Sequence, residues 1–124
     1  MTEPAAELAA VALGGALGGV LRVWLSGLVV LRLGLAPHWG TLAVNISGAG
    51  LIGVAAGLMP GTGLPWLLLA TGLLGSYTTV STFALQTLAL HDDATTAQAL
   101  GNVVLSVAGC LGAAALGFMV AGMP

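Results

Sequence analysis

Four long apolar runs, at roughly 5–31, 40–59, 64–90 and 97–120, follow one another along the chain with only short polar gaps between them. Each holds about 20 residues or more, enough to cross a hydrocarbon core about 30 Å thick as a helix. The gaps carry helix breakers: RLGLAPHWG after the first run, PGTGLP between the second and third, and HDDATT between the third and fourth. The pattern predicts an all-α integral membrane protein in which residues 1–124 form one domain of four transmembrane helices. The first gap is also compatible with a short interfacial helix that holds Trp39 at headgroup level. Asp92 or Asp93, ahead of ATTAQ, gives an N-cap signal for the fourth span. The first run opens on Glu3 and Glu7 instead of a basic segment and is longer than a signal-peptide core, so it is expected to stay in the mature protein.

Composition sharpens this picture. Hydrophobic residues make up 58% of the chain and charged ones 5%, against about 25% charged in a soluble domain. Arg22 and Arg32 are the only basic side chains apart from two histidines. Because orientation follows the Lys/Arg difference between loops on the two sides, a chain with almost none has little preference for either way up. This permits an antiparallel, dual-topology dimer. Gly occurs 20 times, much of it at four-residue spacing, as in Gly14 and Gly18, Gly15 and Gly19, Gly53 and Gly57. Such spacing lets helix backbones approach closely in lipid. Four thin spans form too small a bundle for a private aqueous path, which again favours a dimer.

His38 and His91 lie in connections, and no span pairs a carboxylate with His or Cys, so catalysis is not expected. No phosphate loop, metal-ligand cluster or basic patch is visible, so neither is nucleic-acid binding. What remains is a set of neutral hydrogen-bonding side chains at membrane depth. Asn45 lies in span two. Span three carries Ser76 to Thr79, then Ser81, Thr82, Gln86 and Thr87. In span four, Asn102, Ser106 and Cys110 follow an i, i+4, i+8 pattern along one face. Ser and Thr at such positions serve commonly as interhelical glue, and Cys110 as a small packing residue. Buried amides are harder to satisfy, and polar groups at that depth face protein or a water-filled path. A neutral, donor-rich lining suits a small hydrated anion better than a cation. Phe83 adds the positive edge of an aromatic ring. The run Gly75 to Thr79 is made of poor helix formers halfway along its span, so a helix break is expected there. Carbonyls freed at such a break suit a cation.

Three segments resemble the motifs of the Fluc (CrcB) fluoride channel family: GGALGGVLR ending at Arg22, GTLAVNISGAGLIG from Gly40, and GLLGSYTTVSTFALQ from Gly72. They occur in order and the likeness spans the chain. The resemblance implies a dual-topology homodimer of four-helix subunits in the bacterial inner membrane, with two antiparallel pores through which F⁻ leaves the cytoplasm. It implies a structural Na⁺ at the dimer centre, held by the backbone carbonyls of Gly75 and Thr78 from both subunits. It also places Asn45, Ser81, Thr82, Phe83, Asn102, Ser106 and Cys110 along the ion pathway, and Arg22 at a vestibule.

The chain departs from the family pattern in two places. Where the family reads T-T-F-S-T-F, this chain reads T-T-V-S-T-F, so Val80 takes the place of the first pore phenylalanine. Either Phe83 with its donors suffices, or the pores conduct differently, or a paralogous subunit supplies the ring in a heterodimer. The second is Cys110, a weaker donor than the hydroxyl the family favours, with Asn102 in the same track also atypical. Two other classes compete with a channel. A four-helix multidrug-type proton antiporter needs a carboxylate within the membrane, whereas Glu7 lies near the start of span one. A non-conducting structural subunit predicts that substitutions at Asn45 and Phe83 change stability alone.

Overall fold

The computed structural model describes residues 3–123, and these are all-helical, with no strand among them. Four helical stretches are long and apolar enough to cross a membrane: span one, Pro4–Leu33; span two, Pro37–Leu58; span three, Leu64–Asp93; and span four, Thr96–Ala121. The expected runs thus recur with ends displaced by a few residues.

Local chemistry sets the ends. Gly34, at φ 64°, closes span one in the left-handed conformation, and its N–H and that of Leu35 both reach the Val30 carbonyl. Pro37 then opens span two at its first turn, where a missing N–H costs nothing. No separate interfacial helix intervenes, and Trp39 sits in that first turn. Span four is capped by Thr95, whose Oγ1 accepts the Gln98 N–H at 3.1 Å. Asp92 and Asp93 instead finish span three, because the turn needs only Ala94 and Thr95.

Span three is not one regular helix. After Leu64–Trp66 it widens into a π-helical stretch, Leu67–Leu74, which ends with the Gly75 N–H reaching back five residues to Ala70. Regular helix resumes for Gly75–Tyr77, stops at Thr78, and starts again as Ser81–Asp93. The break therefore exists, but it spans residues 78–80 and not the stretch from Gly75: Gly75 itself keeps helical angles of φ −63° and ψ −34°. Glycine tolerates the helix, while Thr78 turns to ψ 156° because its neighbour is captured by span two, as described below.

The four spans pair as one with three and two with four, through glycine. A Cβ on Gly14 or Gly18 would fall on the backbone oxygens of Leu68 and Leu73, and one on Gly53 or Gly117 on those of Ala114 and Gly50. In lipid, where leucine gains nothing by leaving the tails, such backbone contact is what holds helices together. The small core centres on Val44, 1% exposed, with Leu74 and Tyr77 around it. The Ser47 hydroxyl donates to the Val44 carbonyl at 3.0 Å, so the Tyr77 hydroxyl, also 3.0 Å away, donates to Ser47. Leucines, valines and Phe118 crowd the outer surface, the inverse of a water-soluble fold.

Candidate functional site: a polar cavity at the helix break

Asn45, buried in span two, faces the break in span three and holds it open. Its Oδ1 accepts the Thr79 N–H at 2.8 Å, and its Nδ2 donates to the Thr79 carbonyl at 2.8 Å. The backbone N–H can only donate, so the amide orientation is set by the contact itself. One side chain thereby replaces both helical hydrogen bonds of residue 79, and one Nδ2 hydrogen is left over. The Thr79 side chain also terminates the second half-helix. Its Oγ1 accepts the Thr82 N–H at 3.3 Å and lies 3.3 Å from the Ser81 hydroxyl.

These two captures free two carbonyls. In a continuous helix Gly75 would receive the N–H of Thr79 and Thr78 that of Thr82. Those donors go to Asn45 Oδ1 and Thr79 Oγ1 instead, and among the described residues neither carbonyl accepts another hydrogen bond. The Thr78 hydroxyl does not fill the gap, since it donates to Leu74 at 3.0 Å.

A cavity of about 550 Å³ runs beside the break. Of the sequence-derived pathway residues, Asn45, Val80, Phe83, Ser106 and Cys110 line it, as do the Gly75 and Thr78 pair. Thr79 lines it as well, and the rest of its wall is apolar. Ser106 is buried, Cys110 half-buried, and Val80 stands at the rim, 78% exposed. Thr82 is elsewhere: with Arg22, Ser26, Thr41 and Thr79 it lines a smaller cavity of about 180 Å³. Arg22 Nε is buried there without a partner among the described residues. Ser81 is exposed and touches neither cavity. Asn102 lines a third cavity, of about 440 Å³, with His38 and Gln98.

The structure thus brings Phe83, Ser106 and Cys110 to one cavity, sets Arg22 beside Thr82 close to the break, and separates Asn102 from both. Thr79 was not singled out by the sequence, although it organises the break with both its backbone and its side chain. Nothing distinguishes it from the hydroxyls on either side of it until Asn45 is seen opposite. Ser26 and Thr41, on spans one and two, gain meaning only from the Arg22 cavity.

Comparison with known proteins gives a consistent result. The family model described as "CrcB-like protein, Camphor Resistance (CrcB)" matches residues 9–118. The chain is 51% identical over 128 residues to Fluoride-specific ion channel FluC 2 of Rhodopseudomonas palustris, an alignment covering 98% of this chain and 97% of that protein. It is 47% identical over 118 residues to FluC 2 of Bradyrhizobium diazoefficiens, covering 90% and 86% respectively. With Fluoride-specific ion channel FluC of Rhodospirillum rubrum it shares 46% over 107 residues, covering 82% and 83%.

Proposed function

This chain belongs to the CrcB family, and on that premise we propose that it is a fluoride-selective channel, a multi-pass protein of the bacterial inner membrane that lets F⁻ leave the cytoplasm passively. The observation that carries the reading is the meeting of the Asn45 amide, the Phe83 ring and the Ser106 hydroxyl on one cavity beside a broken membrane helix. Fluoride gives up water reluctantly, so its path must supply N–H, O–H and ring-edge donors in place of the hydration shell. Asn45 keeps one N–H free for this while anchoring the break. The second half-helix directs its positive N-terminal end at the same region, and Arg22 adds a full charge next to Thr79 and Thr82. This combination favours an anion approaching from the Arg22 side.

The cavity is open along Val80, so a second copy of the chain, packed antiparallel, is the proposed other wall. The near absence of basic residues to set orientation supports that arrangement. A Na⁺ at the centre of such a dimer fits the residues present. The Gly75 and Thr78 carbonyls have lost their helical donors, and neutral carbonyl oxygens are the ligand class for an alkali ion. A bound cation would balance the orphaned carbonyl dipoles and fasten the two breaks together. If so, protein purified without Na⁺ melts at a lower temperature than protein in NaCl, with K⁺ as the ionic-strength control; equal melting would remove the ion from the design.

Liposomes containing the purified protein are expected to release F⁻ and retain Cl⁻ when a K⁺ ionophore balances charge, and failure to release F⁻ would sink the channel reading. The same assay addresses Val80. Valine offers no ring edge where the cavity opens, so Val80→Phe is expected to speed F⁻ release about tenfold without admitting Cl⁻. An unchanged rate means that Phe83 with its donors suffices, or that a paralogous partner supplies the ring.

A further inference from the structure

Thr87 was not assigned to the ion path and does not line its cavity, yet it ties together the two spans that bring Phe83 and Ser106 there. Its Oγ1 donates to the Phe83 carbonyl at 2.8 Å, one turn back along span three. Having spent its only proton there, that oxygen is left as an acceptor, and Asn102 Nδ2 on span four donates to it at 2.9 Å. The chain of bonds runs one way, from the Asn102 amide through the Thr87 hydroxyl to the Phe83 backbone. Asn102 is only 5% exposed, and it also borders the cavity that His38 and Gln98 line.

The register gives this relay its consequence. Phe83 and Ser106 line one cavity, and one turn on along span three and one turn back along span four Thr87 meets Asn102. Antiparallel helices face each other in this way, one index rising by four as the other falls by four. Because span three is interrupted at residues 78–80, its second half does not inherit its position from the first. Among the described residues, side-chain hydrogen bonds tie this half to span four only at Thr87 and, at the turn, between His91 and Thr96. Deep in the membrane, the Thr87–Asn102 bond is the one side-chain hydrogen bond between these two segments among the described residues.

We propose that Thr87 is a positioning residue of the ion path, holding the Phe83 ring opposite Ser106 through Asn102. The proposal rests on the channel reading for its effect on flux, and the Thr87 geometry has its own readout in Cys110. That thiol, the only one in the chain, lines the same cavity as the ring, so its rate of modification by aminoethyl methanethiosulfonate senses where the ring sits.

Thr87→Val, which keeps the branched shape and removes the hydroxyl, is expected to slow F⁻ release about tenfold and lower the F⁻/Cl⁻ ratio. It should also change the Cys110 modification rate several-fold, on the same principle that a loosened support displaces the site. Thr87→Ser restores the native values. Asn102→Ala breaks the other end and gives the same phenotype as Thr87→Val, and the double variant is no worse than either single one. Native-like selectivity and Cys110 reactivity in Thr87→Val, or additive losses in the double variant, would overturn the proposal. A native chain that releases no F⁻ would refute the channel reading, and Cys110 reactivity in Thr87→Val against Thr87→Ser would still decide the relay.

Discussion

Asn45→Leu is expected to close the break, lower stability and abolish F⁻ release together. Leucine matches asparagine in size but offers nothing to Thr79, whose N–H and carbonyl both bond to the amide at 2.8 Å. A buried polar group left unpaired costs about 1–3 kcal/mol. Thr79 is only half-buried in a single subunit, so the low end applies to each group, and about 2 kcal/mol in total is a reasonable expectation. The span can recover part of this by letting residue 79 return to a helical hydrogen bond with Gly75, which would re-cover the Gly75 carbonyl and erase the bend. The loss of flux should therefore exceed what the loss of stability explains. Thermal melting in detergent and F⁻ release from liposomes, measured on the same preparation, separate the two. Asn45→Asp is a sharper probe: it keeps an acceptor for the Thr79 N–H but turns a second oxygen toward the Thr79 carbonyl and adds negative charge beside an anion path. If either variant melts and conducts like the native chain, the amide clamp is not what holds the break.

Gly18→Val should prevent the chain from folding, whereas Gly15→Ala, three residues away on the same helix, should be silent. A Cβ at Gly18 would fall on the carbonyl of Leu73, and backbone cannot rotate aside as a side chain can. Overpacking ordinarily costs about 1–3 kcal/mol and occasionally more; a backbone-on-backbone collision belongs at or beyond the upper end. Span one would have to move off span three, and the π-helical stretch Leu67–Leu74 that it packs against would lose its partner. At Gly15 a Cβ meets nothing within 4 Å, so alanine there adds apolar surface facing outward. Yield of monodisperse protein by size-exclusion chromatography distinguishes the two. A well-behaved Gly18→Val protein would show that spans one and three do not meet as described.

These two residues mark how far the sequence carries. The glycine spacing at 14 and 18 is visible in the sequence, and so is its meaning, since in lipid small residues at intervals of four can do little but bring backbones together. Which partner they meet is not visible, because the contact is with carbonyls of span three and a carbonyl has no letter of its own. Likewise Asn45 stands out as a costly buried amide, whereas its task of capturing residue 79 depends on the relative height of two spans. The break itself was legible within a few residues. Its displacement from Gly75 to residues 78–80 reflects a competition that propensity does not register: glycine permits a helix that its surroundings favour, and Thr79 leaves one because a better hydrogen-bonding partner faces it.

The pathway residues divide along the same line. Asn102, Ser106 and Cys110 share a helix face by periodicity alone, yet the cavity takes only the latter two, and Asn102 spends its amide on Thr87. Thr87 looked like any hydroxyl available for interhelical bonding, which is what it does; its proposed importance comes from standing one turn beyond Phe83 on a half-helix with few other side-chain hydrogen bonds to its neighbours. Arg22 and Thr82 are 60 positions apart and meet because spans one and three pair through glycine.

By itself, then, the sequence determined the medium, the number of spans, their ends to within a turn, the presence of a weak point in the third and the kinship with CrcB proteins. All of these follow from hydropathy, turn chemistry and motif, which act locally along the chain. Only the tertiary structure decided where the helix stops, which carbonyls it frees, and which hydroxyls face a cavity and which hold one helix to another. Those depend on hydrogen bonds between residues up to 34 positions apart, whose strength lies in geometry that no single segment contains.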